Sequence, residues 1–133
     1  MQIQKIVQTL LKLNALRKSS QQHKVCAAVV KNKHVVDLGF NSKKTHPKQK
    51  SLNELKPYLH AEVEAILRAS KSLKDFDKCC LVVVRTKKDG PFGDDIPGTS
   101  KPCEGCEKFI RFSGIKKVYY LDEKGKICLL NLK

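Results

Sequence analysis

His60-Ala61-Glu62 is followed forty residues later by Pro102-Cys103-Glu104-Gly105-Cys106, and each stretch is expected at the beginning of a helix. Small and apolar side chains at helical spacing predict the first helix from Tyr58 to Lys71. The second is predicted from Pro102 to Phe112, because proline is tolerated in a first turn and a Ser-Gly pair follows as a stop signal. A continuous apolar run from Cys79 to Val84 predicts a buried strand between them. Two helix starts can therefore meet at one edge of a sheet.

The remaining elements follow from similar patterns. Apolar residues at spacings of three and four predict an amphipathic helix before the first strand, and a tight turn at Asn32-Lys33 predicts a hairpin. The helix at 2–17 and strands at 25–30, 34–40, 117–121 and 126–130 complete the order α-β-β-α-β-α-β-β. The last two strands are joined by a turn too short for a crossover, so they are predicted to be antiparallel. We expect a three-layer α/β fold with a mixed five-stranded sheet and helices on both faces, built as one domain over residues 1–133.

One histidine and two cysteines in these stretches are candidate metal ligands. Imidazole nitrogen and thiolate sulfur are ligands that zinc prefers, and three protein ligands with an open fourth position are typical of catalytic zinc. We therefore predict that His60, Cys103 and Cys106 bind Zn²⁺. Two other interpretations are weaker. A redox pair of cysteines would not explain the His-x-Glu stretch, and a structural zinc site needs a fourth ligand, for which the candidates are His23, His34 and His46.

Glu62 raises a geometric question. Residues two apart on a regular helix point about 200° away from each other, so Glu62 should not share the direction of His60 unless the helix start is distorted or the helix is tilted. We predict that the Glu62 carboxylate contacts the water bound to zinc rather than the metal. There it would act as the proton carrier.

Composition limits the class of protein. No apolar run approaches the roughly 18–20 residues that span a membrane, and the first residues lack the pattern of a signal peptide, so a cytoplasmic protein without membrane association is expected. Four further cysteines, at 26, 79, 80 and 128, lie in apolar runs and are expected to be core thiols. The net charge of +14 allows a nucleic-acid partner. However, the basic residues are mostly lysine, and arginine occurs only at positions 17, 68, 85 and 111.

From about Val25 to Tyr120 the chain resembles the cytidine deaminase-like superfamily, within the CMP/dCMP deaminase type. The segments that carry the resemblance are Gly39-Phe40-Asn41-Ser42, Leu59-His60-Ala61-Glu62 with Ala65-Ile66, Ser100-Lys101-Pro102-Cys103-Glu104-Gly105-Cys106, and Gly114-Ile115-Lys116-Lys117-Val118-Tyr119-Tyr120. The histidine, glutamate and Pro-Cys-x-x-Cys pattern is the signature of zinc deaminases that act on nucleobases. It is specific for the superfamily and much less so for the substrate.

The resemblance implies roles for particular residues. His60, Cys103 and Cys106 would bind zinc, and Glu62 would be the catalytic proton shuttle. Asn41 would contact the sugar or phosphate side of the substrate, although Asn is also well suited to a turn. Ala61 would present its backbone N–H to the pyrimidine carbonyl. The implied reaction is hydrolytic deamination of cytosine to uracil in a free nucleotide, most readily dCMP, by a homo-oligomer.

The long polar loops at 41–57 and 87–101 are expected to flank the substrate. Lys101 adjoins the cysteine motif and can hold a 5′-phosphate or follow a strand backbone, as can the loop lysines Lys43, Lys44, Lys48 and Lys50. His46 is a candidate for stacking on a base, as is Phe92, whereas Asp94-Asp95 would repel a phosphate backbone. The alternatives are a deaminase of cytosine or adenine in single-stranded DNA or RNA, and an inactive nucleic-acid-binding relative.

Two features depart from the CMP/dCMP type. Members of that type commonly have a further helix between the last two strands, whereas this chain has a hairpin-length turn similar to that of free-cytidine deaminases. Those deaminases usually carry cysteine where this chain has His60. The sequence therefore combines features of the CMP/dCMP type with features of free-cytidine deaminases.

Overall fold

Three helices and six strands lie in the part of the chain that the computed structural model describes, which comprises residues 2–16, 23–42, 60–88, 95–97 and 99–132. They follow the predicted order with one additional short strand. In chain order they are α1 (Gln2–Leu16), β1 (His23–Lys31), β2 (His34–Phe40), α2 (Ala61–Ala69), β3 (Cys79–Lys88), β4 (Asp95–Pro97), α3 (Glu104–Ser113), β5 (Lys117–Leu121) and β6 (Ile127–Asn131).

The strands form one mixed sheet in the order β2-β1-β3-β5-β6. β1 is antiparallel to both β2 and β3, and β3 is parallel to β5. β6 pairs with β5 in the antiparallel direction, which confirms the prediction for the last two strands. A mixed five-stranded path is thus confirmed, and β4 adds a sixth strand beside β3.

Helices cover both faces of the sheet, as predicted. The residues of β3 alternate between two cores, because successive side chains of a strand point to opposite faces. On one face α1 packs against Val82 and Val84, and on the other α2 and α3 pack against Leu81 and Val83. Of the helices in the described ranges, none is both long and apolar enough to span a bilayer.

Both helices that carry the motifs begin later than the sequence predicts. α2 begins at Ala61 rather than at residue 58, and residues 58 and 59 lie outside the described ranges. α3 begins at Glu104 rather than at Pro102. In each case the residue before the helix has an extended backbone, which is the usual conformation of an N-cap. The expected helix ends also differ by one or two residues, since α2 ends at Ala69 and α3 at Ser113.

The second long loop contains regular structure that the sequence analysis missed. β3 continues to Lys88, four residues beyond the apolar run, and β1 begins at His23. Backbone pairing extends β3, because its last residues bond to the beginning of β1 on one side and to β4 on the other. Hydrophobic patterning does not detect such a polar extension.

The hairpin between β1 and β2 forms as predicted. Asn32 and Lys33 both have positive φ angles, 53° and 66°. Two successive residues in this region are the signature of a type I′ turn, whose twist matches that of the two strands.

Gly39 in β2 lets α2 lie unusually close to the sheet. A Cβ atom at this position would be 2.3 Å from the carbonyl oxygen of Ala61 and 2.4 Å from the backbone nitrogen of Ala65. Ala61, Ala65 and Ala69 are buried, so the small-residue face expected from the sequence is the packing face of α2. The position of the first turn of α2 therefore depends on the absence of a side chain at residue 39.

We expect Gly39→Ala to lower the free energy of unfolding by about 2–3 kcal/mol, because the added methyl group meets rigid backbone. The matched control is Gly114→Ala. Gly114 has a φ of 100° but open space around it, so its substitution should cost only about 1 kcal/mol. Urea unfolding of both variants measures the difference. Equal losses would show that α2 can shift away from β2 without cost.

Candidate active site

The starts of α2 and α3 meet at one edge of the sheet. His60 is the N-cap of α2, with φ −86° and ψ 151°, and Cys103 is the N-cap of α3, with φ −69° and ψ 167°. Both are extended, so neither side chain follows the helical period of the residues after it. This answers the geometric question about Glu62. His60 lies outside the helix, and the 200° separation between residues two apart does not apply to it.

Three potential metal ligands converge there. The Nδ1 atom of His60 lies 3.1 Å from Sγ of Cys106 and 3.7 Å from Sγ of Cys103. All three ligand atoms lie within 4.8 Å of one another. Ligands at 2.0–2.3 Å from a tetrahedral zinc ion would be about 3.5–3.8 Å apart. The donor set and its spacing therefore fit zinc after small side-chain adjustments.

The cluster contains these three residues and no fourth histidine among those whose side chains are described. His34 lies at the beginning of β2 and pairs with Lys31, at the other end of the hairpin from Asn41. The side chain of His23 and the whole of His46 lie outside the described part of the chain. A three-ligand site of this kind matches the catalytic arrangement rather than a closed structural one.

The pKa values of the two cysteine thiols shift in opposite directions. Hydrogen bonds from Cys106 and His60 lower the pKa of Cys103 to about 3. The pKa of Cys106 is raised, because its hydrogen bond to the Cys103 thiolate requires the proton and because the side chain is buried. The pair thus shares one proton at neutral pH. A bound dication would favour the thiolate form of both.

Glu62 is buried beside this cluster. Burial raises the pKa of its carboxyl group, and a hydrogen bond to its own backbone N–H and the nearby His60 partly offset that effect. The Cys103 charge raises it further. A raised pKa makes the carboxyl group a better proton acceptor, as a residue that takes up and then passes on a proton requires.

A cleft of about 280 Å³ opens next to the ligands. Its polar lining comprises Asn41, His60, Glu62, Arg85, Thr99, Ser100, Lys101 and Cys103. The buried first residue of α2, Ala61, also lines it. The structure thus brings together every site residue expected from the sequence except His46, which lies outside the described residues together with Phe92 and the lysines of the 43–50 loop. A larger cleft, of about 400 Å³, lies at the opposite end of β1 and β3 and is lined by Asn32, Lys78 and Tyr119 among others.

Asn41 has a structural contact in addition to its place in the cleft. Its Oδ1 atom accepts a hydrogen bond from the Val25 N–H at 3.0 Å, and its own N–H donates to the Val25 carbonyl at 3.2 Å. The side-chain oxygen therefore fastens the end of β2 to β1.

Two polar side chains that the sequence analysis did not single out, the buried Ser100 and the partly buried Glu64, position the helix starts. The Ser100 hydroxyl donates to the Val83 carbonyl and accepts from the Leu121 N–H, both at 2.7 Å. It thereby holds the segment before Cys103 against β3 and β5. The carboxylate of Glu64 accepts a hydrogen bond from the Phe40 N–H at 3.2 Å, which ties α2 to β2.

Arg85 is the charged residue that the sequence analysis overlooked in the cleft. It shares the odd-numbered face of β3 with Leu81 and Val83 and pairs with Val25 of β1. The predicted strand ended at Val84, one residue before Arg85. If the strand is continued, the alternation puts Arg85 on the face that meets α2 and α3.

The other cysteines are only partly as expected. Cys26 and Cys79 are buried, but Cys80 and Cys128 are partly exposed. The prediction of four core thiols is therefore right for Cys26 and Cys79. Cys80 packs against the edge of the core, and Cys128 belongs to neither core cluster. Burial raises the pKa of Cys79 and of Cys80, so both favour the unreactive thiol form.

Comparison with protein families identifies the chain. The model of the family described as cytidine and deoxycytidylate deaminase zinc-binding region matches residues 1–122. The chain belongs to this family. Zinc is accordingly its cofactor, and His60, Cys103 and Cys106 form the candidate site. A comparison with curated protein sequences gave no match.

Solved structures of deaminases have the same fold. A cytidine deaminase from Burkholderia pseudomallei superposes with a TM-score of 0.67 at 16% identity, over 97% of this chain and 91% of the other. A dCMP deaminase from the cyanophage S-TIM5, in its apo form, gives a TM-score of 0.53 at 25% identity, over 89% and 78%. The same phage enzyme in complex with dCMP and dUMP gives 0.58 at 24% identity, over 90% and 79%. The expected cytidine deaminase-like fold is confirmed.

We expect zinc binding to the metal-free protein at pH 7 to release about one proton from the cysteine pair. Cys103 is already a thiolate, whereas the raised pKa of Cys106 keeps its proton until the metal displaces it. Because the metal competes with that proton, affinity should fall about tenfold for each unit by which the pH is lowered. Calorimetric titration in buffers of different ionisation enthalpy measures the proton count. An enthalpy that does not depend on the buffer would contradict the shared proton.

Proposed function

We propose that this family member hydrolyses the amino group of cytosine in a free nucleotide, most readily converting dCMP to dUMP, with His60, Cys103 and Cys106 as zinc ligands and Glu62 as the catalytic residue. The observation that carries the proposal is the position of the buried Glu62 carboxyl, beside a three-ligand donor set and lining an open cleft. When bound, zinc supplies the Lewis acidity that makes water a nucleophile at neutral pH.

Glu62 is proposed to carry protons between the nucleophile and the base. It accepts a proton from the attacking water and donates it to the ring nitrogen, so that an oxygen is added at C4. It then takes the proton of the new C4 hydroxyl and delivers it to the amino group, the C4–N bond breaks, the C4 carbonyl forms, and uracil and ammonia leave. The raised pKa of Glu62 suits both directions of transfer.

Backbone and side-chain groups of the cleft are proposed to orient the nucleotide. Ala61 is the first residue of α2, so its N–H has no partner inside the helix and can donate to the pyrimidine carbonyl. The Asn41 amide nitrogen is placed to donate to the sugar or phosphate side. Lys101 is exposed at the rim, where its ammonium group can attract the phosphate. His46 stays a proposed stacking residue.

A second candidate substrate is cytosine or adenine in single-stranded DNA or RNA. The net charge of +14 favours it, because lysines along the surface would neutralise a phosphate backbone. The buried Glu62 argues against an inactive nucleic-acid-binding relative, since a carboxylic acid among thiols serves no binding function there. Three further expectations stay predictions: the homo-oligomer, the cytoplasmic location and the single domain over residues 1–133. Light scattering measures the oligomeric state.

Glu62→Gln should reduce turnover by about 10²–10⁴-fold while the zinc content stays at one ion per chain, because the amide cannot carry the proton. Glu107→Gln is the matched control, since Glu107 lies on the exposed side of α3 in an ion pair with Arg111. Metal analysis and initial rates on the same preparations make the comparison. Full activity in Glu62→Gln would refute the proposed mechanism.

Among dCMP, cytidine, deoxycytidine and a short single-stranded oligonucleotide, we expect dCMP to have the highest kcat/KM. Loss of cytosine absorbance follows the monomers, and uracil excision followed by strand cleavage follows a DNA oligonucleotide. Turnover confined to the oligonucleotide would replace the free nucleotide with the polynucleotide as substrate. Tight, salt-sensitive oligonucleotide binding without any turnover would favour the inactive relative.

A further inference from the structure

Arg85 presents a guanidinium group in the cleft at the end of β3. Its neighbour across the strands is Val25, whose N–H is bonded to Asn41. Both Arg85 and Asn41 line the cleft, with His60 and Glu62 at the helix starts. The arginine therefore occupies the sheet side of the site, next to the residue that the sequence resemblance associates with the sugar and phosphate side.

One donor of the partly buried Arg85 side chain has no acceptor. Its Nε atom is buried and has no hydrogen-bond acceptor in the structure. The described ion pairs engage Arg68 and Arg111 with glutamates on their own helices, and none involves Arg85. A buried N–H donor without an acceptor is costly, so native proteins rarely keep one without a reason. An acceptor supplied by a ligand would remove that cost.

The surroundings select the chemistry of this ligand. A guanidinium group presents a rigid fork of donors that matches the oxygens of a phosphoryl group. Lys101 adds a second cation on the rim of the same cleft. The carboxylate and thiolates of the site lie around the zinc ligands and, in the zinc-loaded protein, are committed to the metal and to proton transfer. Among the described residues that line the cleft, Glu62 is the only carboxylate, so a negatively charged group of the substrate would give Arg85 an acceptor.

We propose that Arg85 binds the 5′-phosphoryl group of a free nucleotide and thereby makes the enzyme prefer nucleotides over nucleosides. The inference rests on the proposed function, because it assigns the specificity of that same site. Since the guanidinium group acts on a part of the substrate that does not react, its contribution appears mainly in KM and in binding.

The test compares substrates that differ only in the phosphate. Arg85→Gln should raise the KM for dCMP by about ten- to a hundredfold and change kcat/KM for deoxycytidine less than threefold, with unchanged zinc content. Arg85→Lys should fall between the wild type and Arg85→Gln, because lysine keeps the charge without the fork. Arg111→Gln, which removes an exposed arginine on α3, should leave both substrates unaffected. Equal losses for the two substrates in Arg85→Gln, or no loss for either, would overturn the assignment.

A binding measurement separates this inference from the proposed reaction. Calorimetric titration of the zinc-loaded protein with dUMP and with deoxyuridine reports the phosphate preference without any turnover. We expect the wild type to bind dUMP more tightly, and Arg85→Gln to lose that preference. If the wild type shows this binding pattern but does not deaminate dCMP, the proposed reaction is refuted and the assignment of Arg85 to the phosphate is supported. Equal or absent binding of both ligands by the wild type would overturn the phosphate site whatever the reaction.

Discussion

Two helices must begin at the same edge of the sheet, each after an extended residue, for one imidazole and two thiols to meet. Separate contacts provide this arrangement. α2 is held against β2 by the missing side chain of Gly39 and by the bond from the Phe40 N–H to Glu64. The segment that leads into α3 is held against β3 and β5 by the Ser100 hydroxyl. The candidate zinc site therefore depends on contacts made by residues that are not themselves candidate ligands.

This arrangement also explains which part of the site the sequence could predict. Ligand identity follows from residue type and spacing, and His60, Cys103 and Cys106 do converge. The direction of Glu62 does not follow from spacing, because a helical period describes only residues inside the helix. His60 precedes α2 with ψ 151°, so its side chain and that of Glu62 can face the same cleft. Cap conformation is set by packing around the helix start.

Hydrophobic patterning predicted the layers of the fold but underestimated the length of β3. Its apolar half is fixed by burial on both faces, and that half was predicted. Its polar half is fixed by backbone bonds to β1 and β4, which leave no trace in side-chain polarity. Arg85 lies in that half, on the face that the alternation of Leu81 and Val83 already defines. Its position on that face brings Arg85 into the cleft, where the buried Nε–H has no acceptor.

The final hairpin, formed by β5 and β6, supports the core rather than the cleft. The residues that line the cleft, within the described ranges, lie between Val25 and Cys103, and Leu121 is bonded to Ser100 from the end of β5. The family match likewise ends at residue 122, before β6. Leu130 and Leu132 pack on the core shared by α2 and α3, and the Leu132 N–H bonds back to Lys116. β6 thus completes the hydrophobic core at one edge and supports the two helices from the side, without lining the cleft itself.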